Sequence, residues 1–417
     1  MREMLSPEEA RELVLSYVKT TQTEEVDLLD AVGRVAANDL KSDMDVAPFA
    51  HAAMDGFALR CAEIAEASPD NPIVLEVIAE EPAGSLYEGE ILPGQCIRIM
   101  TGAPLPAAAD SVVKYEIVGV VEGDGRMGSR VSFTAPTKER SNIRDAGEEA
   151  KAGETIVSSG EVIGAAGVGF LASCGVTRVT TYKRPRVAIM ATGSELVDAT
   201  DIPTPGKIRN SNGYAIAACV QQAGCIPVML PIVEDTEEAL AEAVLQSAKT
   251  YDFVVTTGGA ANGDYDFIKK VVDNLGELHM STVNMRPGKA QTFGLVEGTP
   301  VFGLPGNPAA AYIGFEMLIR PALKKMQGYS AFEHQVVQAR LSKDVKKKDP
   351  RRIYMRSTLS RDEHGLVVTP ASNQSSGLFG VIQRSNCLAI MPEGLESRTC
   401  GSMVDCVLLD VPEEMVV

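Results

Sequence analysis

At 417 residues the chain exceeds what one ordinary core supports, which predicts two to four domains. A hydrophobic fraction of 45% suits a globular protein, and no apolar run is long enough to cross a bilayer, so a membrane span is not expected. The net charge of −17 argues against a general nucleic-acid binder, because such binding depends on Lys and Arg neutralising phosphates. The N-terminal MREMLSPEEA lacks the apolar segment of a secretory signal, which predicts a cytoplasmic location. Eight cysteines lie scattered without a CxxC pair and are read as reduced, mostly buried thiols.

In chain order, Ser6-Pro7-Glu8-Glu9 is a capping box that opens a helix continuing through Ala10, Leu13, Val14, Tyr17 and Val18. A second helical pattern covers Leu28 to Leu40. Short β-like runs follow at Val74–Ala79, Ile97–Met100 and Ser111–Val121, and a helical pattern returns between Gly160 and Cys174, ending at Gly175. From Arg184 strands and helices alternate. Strands are predicted at Val187–Ala191, Ile226–Leu230, Phe253–Thr256 and Val301–Leu304, with helices at Asn212–Gln222, Thr236–Lys249, Asp266–Leu275 and Pro308–Met326. This alternation predicts a doubly wound α/β domain with a mostly parallel sheet and a ligand at the carboxyl ends of its strands. Short strands from Val336 to Val411 predict a small C-terminal β domain.

Several loops carry candidate chemistry, each with an ordinary alternative. "VVTTGGAANGDYD", Val254 to Asp266, joins a buried strand to paired glycines, Gly258 and Gly259, and then to Asp264 and Asp266. The glycines suit an anion, while the carboxylates either cap the next helix or hold a cation that bridges to one. "GLPGNPAAA" places Pro305, Gly306, Asn307 and Pro308 at a strand-to-helix turn, with Asn307 as the expected N-cap, and the plain turn is slightly favoured over an anion site. "MRPGKAQTFG" sets Arg286 and Lys289 about a Pro-Gly turn, where both cations can face one point or simply decorate a surface loop. Glu195 in "ATGSEL" reads as an acid at a helix start. Asp235 in "IVEDTEEAL" reads first as the N-cap of the helix at Thr236. Asp55 in "AAMDGFA" and Thr101 in "RIMTGAPLP" lie in turn-forming sequences that mean little in isolation. The basic run Lys343 to Arg356 reads first as a solvated loop.

Taken together and in this order, "AAMDGFA", "RIMTGAPLPAAAD", "ATGSEL", "TTGGAANGDYDF", "MRPGKA" and "GLPGNPAAA" resemble the molybdopterin molybdenumtransferase family, the MoeA and gephyrin E-domain proteins. The resemblance implies a split helical segment (residues 1–45 and 147–183), an inserted β domain (46–146), an α/β molybdopterin-binding domain (184–328) and a C-terminal β domain (329–417). It also implies an elongated homodimer with its active site at the subunit interface. The implied reaction inserts molybdate into adenylylated molybdopterin, giving molybdenum cofactor and AMP with Mg²⁺. By position, Asp55, Thr101, Glu195, Asp235 and Asp266 resemble catalytic residues, and Glu195, Asp235 and Asp266 resemble the metal ligands. Gly258, Gly259, Arg286, Lys289, Pro305, Gly306, Asn307, Pro308, Arg356 and Ser376 resemble the substrate and oxyanion site.

Four positions depart from the family pattern. Arg286 stands where Lys is usual, Thr282 where a Lys or Arg is usual, Ala261 where a Ser is usual, and Ala310 where a Ser often follows the PGNP turn. Fewer hydroxyls and one cation less point to a reshaped oxyanion pocket, with tungstate as an alternative to molybdate. Two rival readings are the adenylyltransferase step that precedes insertion and a non-catalytic oxyanion or pterin carrier.

Overall fold

The computed structural model describes residues 1–259 and 267–410 and divides into two compact units. One comprises Met1–Glu24, Gly33–Ala37 and the chain from Thr180 onward; the other comprises Glu25–Val32 and Asn38–Val179. The first helix, α1 (Pro7–Tyr17), opens on the expected capping box: Glu9 N–H donates to Ser6 Oγ at 3.2 Å and Ser6 N–H to Glu9 Oε2 at 2.8 Å. Its apolar stripe, Ala10 and Val14, is fully buried in the core of the larger unit.

The expected helix over 28–40 does not form. Only a single 3₁₀ turn, Leu28–Ala31, appears, because Gly33 takes φ +74° and the chain beyond it runs extended, with Ala36 bridging Thr181.

The smaller unit is built on a six-stranded sheet of β1 (Gly56–Leu59), β2 (Ile73–Glu81), β3 (Gln95–Ile99), β4 (Ser111–Lys114), β5 (Gly119–Glu122) and β6 (Arg130–Phe133). Their order is β4-β1-β3-β2-β6-β5. Alternation along β1 sends Phe57 and Leu59 to one core and Ala58 to another, so both faces of the sheet are covered. The run expected as one stretch from Ser111 to Val121 is β4, a 3₁₀ turn and β5, whose four residues are all exposed at the sheet edge. Helix α2 (Ala165–Ser173) ends where Gly175 adopts φ +78°.

The larger unit alternates as predicted: β7 (Arg186–Ala191), α3 (Ser211–Gln222), β8 (Ile226–Met229), α4 (Glu237–Ala248), β9 (Phe253–Thr257) and α5 (Phe267–Leu275). Two strands that the sequence reading missed, β10 (Gly276–Thr282) and β11 (Ala290–Val296), precede β12 (Thr299–Leu304). The sheet order is β8-β7-β9-β12-β11-β10. The first four strands run parallel and the last two antiparallel, which gives the mostly parallel sheet. The expected helix over 308–326 is three pieces: α6 (Pro308–Gly314), a π turn (Phe315–Ile319) and α7 (Arg320–Met326). Pro321 lacks the N–H that Met317 would receive, and the widened turn absorbs the loss.

After α7, strands β13 (Val336–Leu341), β14 (Arg352–Asp362), β15 (Gly365–Pro370), β16 (Cys387–Met391) and β17 (Met403–Leu408) pair in the circuit β14-β15-β13-β17-β16-β14. Closing the circuit leaves these five strands without a free edge. Tyr354, Leu388, Val407 and Leu409 join the core formed by α1, β7, β9 and the helices after β12, so this domain packs firmly on the α/β sheet. All eight cysteines are free, and six of them are buried.

Candidate active site

In the α/β sheet the chain leaves β7 for β8 on one side and returns to β9 on the other, so a crevice opens at the carboxyl ends of β7 and β9. Three loop tips meet there. Thr192 N–H donates to Thr257 O at 3.0 Å, and Gly258 N–H donates to Leu304 O at 3.2 Å. Gly258 has φ +89°, and a Cβ placed on it would lie 2.1 Å from the Thr192 carbonyl oxygen. Only glycine permits that approach. Gly306 comes close to the same Gly258 Cα, with 3.7 Å left for a Cβ.

The resulting cleft, about 840 Å³, is lined by Glu195, Asp235, Gly258, Gly259, Lys289 and the turn Pro305–Gly306–Asn307–Pro308. Asp235 does not cap α4: Thr236 does, its hydroxyl accepting from Ala239 N–H at 3.3 Å. Asp235 instead accepts from Thr192 Oγ1 at 3.2 Å and faces the cleft. Glu195 is exposed, and its carboxylate lies against the α-carbon of Gly193, 2.6 Å from where a Cβ would stand. Gly193→Ala is therefore expected to push the Glu195 carboxylate aside, since the obstructing atoms end a flexible side chain, and to lower the thermal midpoint modestly, since the residue holds φ +158°. Reduced divalent-cation affinity in the folded variant would check this; unchanged affinity would argue against a cation at Glu195.

At the start of α6 the N–H groups are already bonded, in keeping with the plain turn that the local sequence slightly favoured over an anion site. Pro308 has no N–H, Ala309 N–H donates to Ser376 O at 2.8 Å, and the N–H groups of Ala310 and Ala311 both donate to Asn307 O at 3.0 Å. Asn307 occupies the N-cap position without a side-chain capping bond. Asp264 and Asp266 lie outside the described residues. Arg286 and Lys289 do not converge. Met285–Arg286 pairs in parallel with Arg352–Ile353 of β14, and the Pro287–Gly288 turn, with Gly288 at φ +93°, sends Lys289 to the opposite side. Arg286 pairs with Asp349 at 3.1 Å and lines a second cleft.

That second cleft, about 710 Å³, shares Gly288, Asn307 and Ala310 with the first. Its lining includes Ser376 and six cations, Arg286, Lys343, Lys346, Lys348, Arg351 and Arg356, against one acid, Asp344. The basic run thus walls a cleft, while Lys343, Lys346 and Lys348 remain exposed, as a solvated loop would have them. Asp349, gripped by Arg351 and then by Arg286, is held well below the usual carboxylate range. Arg356 is only 1% exposed, and burial pulls its guanidinium pKa down. Its partners among the described residues are all neutral: Gln374 Oε1 accepts from Nε at 3.1 Å and from Nη2 at 2.9 Å, and Ser375 O accepts from Nη1 at 3.0 Å. Among the described residues no carboxylate pairs with this buried cation, an arrangement that is costly without a counter-charge.

In the smaller unit, Asp55 and Thr101, 46 residues apart, form one motif. Asp55 Oδ1 accepts from Thr101 N–H at 2.8 Å and from its hydroxyl at 2.7 Å. The backbone N–H, and then the hydroxyl, lower the Asp55 pKa and keep it ionised below the ordinary carboxylate range. Thr101→Val removes one of these donors, so the Asp55 pKa is expected to rise. A carboxyl-carbon NMR titration checks the direction. Because a depressed pKa stabilises the fold above the unfolded value and that stability is lost as pH falls through the folded one, the stability lost in the variant is fully present at neutral pH and fades at acid pH.

Residues 5–175 match the MoeA N-terminal region (domain I and II), 188–325 match a probable molybdopterin binding domain, and 338–409 match the MoeA C-terminal region (domain IV). The chain is 34% identical to the molybdopterin molybdenumtransferase of Staphylococcus epidermidis, over 98% of its own length and 96% of the relative's. The chain belongs to the molybdopterin molybdenumtransferase family. The Bacillus subtilis molybdopterin molybdenumtransferase is 34% identical over 96% of this chain and 93% of the relative. The MoeA protein of Pyrococcus horikoshii superposes with a TM-score of 0.82 at 29% identity, covering 97% of this chain and 99% of that one.

Within this molybdopterin molybdenumtransferase family member, two of the departures now have positions. Thr282 Oγ1 accepts from Met4 N–H at 2.8 Å and so ties down the N-terminus. Ala310 is buried and lines both clefts. Sequence reading missed Arg209, Thr192 and Ser211, which also line the first cleft. Arg209 offered a signal, since it directly precedes Asn210, whose Oδ1 caps α3 by accepting from Gly213 N–H at 2.9 Å. Among the described residues no set of three or more His, Cys, Asp or Glu side chains is placed to hold a metal, and no helix is long and apolar enough to cross a membrane.

Proposed function

We propose that the protein transfers molybdate into adenylylated molybdopterin, giving molybdenum cofactor and AMP. The observation that carries this reading is the shared wall of the two clefts, one bearing the acids Glu195 and Asp235 beside Lys289 and Arg209, the other basic with a buried arginine that has no carboxylate partner among the described residues. A polyanionic substrate laid across that wall presents its phosphoanhydride to the first cleft, while the oxyanion occupies the second.

Mg²⁺ commonly takes one or two protein carboxylates and completes its shell with water and substrate phosphate. Glu195 and Asp235, on one cleft, fit that donor set, and Asp266 is assigned to it from the family pattern. When bound, the cation neutralises charge developing on the phosphoanhydride. Lys289 meets the pyrophosphate, and Arg356, Arg286 and Ser376 meet the oxyanion. A homodimer in which Asp55 and Thr101 complete the site of the partner copy belongs to the same reading. Purified protein incubated with adenylylated molybdopterin, molybdate and Mg²⁺ is expected to release AMP. Binding without AMP release would make it a carrier, and ATP consumption with unadenylated pterin would make it the adenylyltransferase. Faster AMP release with tungstate than with molybdate would change the native oxyanion but not the reaction class.

A further inference from the structure

We propose that Gln374 is the positioning residue that keeps the Arg356 cation available to an oxyanion. Arg356 lies on β14 in the wall of the basic cleft, with its side chain almost wholly buried. A guanidinium has five N–H groups. Here one on Nε and one on Nη2 converge on Gln374 Oε1, and one on Nη1 reaches Ser375 O. The remaining two have no protein acceptor among the described residues.

Gln374 is itself fixed from the other end. Its Nε2 donates to Arg356 O at 2.9 Å and to Ala371 O at 3.1 Å, while Oε1 also accepts from Arg356 N–H at 3.1 Å. Flipping the amide would set its NH₂ against the guanidinium and its oxygen against two carbonyls, so only one orientation is satisfied. The result is a planar cation held along one edge by a neutral amide. A carboxylate at that position would still accept from the guanidinium but would neutralise it, and its second oxygen would face the Arg356 and Ala371 carbonyls. In a chain with 56 acidic and 39 basic residues, a neutral holder at the one buried guanidinium of this cleft preserves charge for a ligand. Gln374 thus fixes direction, and Arg356 supplies the charge.

The inference rests on the insertase reading only in taking molybdate as the anion. Calorimetric titration of sodium molybdate into the full-length protein tests both, using Gln374→Glu and Arg356→Ala. For Gln374→Glu, affinity is expected to fall about tenfold or more, since the new carboxylate occupies the cation, and to fall further than in Gln374→Met, which is uncharged. A merely structural role for Gln374 would instead make Gln374→Met, which loses all of these bonds, weaken binding at least as much as Gln374→Glu. Wild-type affinity in Gln374→Glu, with binding lost in Arg356→Ala, overturns the positioning role and leaves the oxyanion reading standing. Wild-type affinity in Arg356→Ala overturns both. If Gln374→Glu does not fold, Gln374→Met, uncharged and of similar length, replaces it. Its freed guanidinium is expected to weaken binding severalfold, and unchanged affinity would overturn the proposal.

Discussion

Replacing Gly258 with alanine is expected to abolish AMP release and lower the thermal midpoint together. Two independent penalties act at this position. The residue holds φ +89°, which disfavours any side chain, and the added Cβ would sit 2.1 Å from a backbone carbonyl, that of Thr192, which cannot rotate away. Relief requires separating the β7 and β9 loop tips, at a cost on the order of 3 kcal/mol by analogy with strained backbone sites. Asp235 hydrogen-bonds Thr192, so the same movement carries the acid out of the cleft. A variant with wild-type turnover would show that loop convergence is unrelated to chemistry.

Asp235→Asn separates folding from catalysis. The amide oxygen still accepts from Thr192 Oγ1, and Thr236 caps α4 without help, so the thermal midpoint should hold. What disappears is a negative charge facing the cleft. Turnover is expected to fall about a hundredfold, with a higher Mg²⁺ concentration needed for half-maximal rate, since electrostatic groups at reacting centres are worth roughly 3 kcal/mol each. Steady-state kinetics across a Mg²⁺ series reads both quantities. Unchanged turnover would leave Asp235 as a loop-fastening residue only.

The alternating half of the chain was legible because each strand and helix there is ended by strong local chemistry. Gly258, Gly306 and the Asn307–Pro308 helix start stand where the pattern placed them. β10 and β11 escaped notice because GELHMST and AQTFGLV bury polar residues, Ser281, Gln291 and Thr292, and so lack the apolar alternation that announces a strand. The helix expected at 28–40 failed because one glycine in the left-handed region outweighs periodicity. At the site, sequence identified the residues better than their grouping. Spacing alone set Arg286 beside Lys289, yet strand pairing with β14 assigns them to different clefts. The Asp235 carboxylate was read as a cap because the true cap, Thr236, is its immediate neighbour. Gln374 carried no signal, since a lone glutamine acquires meaning only through the guanidinium beside it.

The central claim is that an oxyanion is received at Arg356, on the far side of the shared wall from Glu195 and Asp235. Crystals grown with tungstate, measured near the tungsten absorption edge, locate the heavy atom directly. The account predicts an anomalous peak within hydrogen-bonding reach of the two unpartnered Arg356 N–H groups; a peak confined to other residues, or none at saturating tungstate, would contradict it.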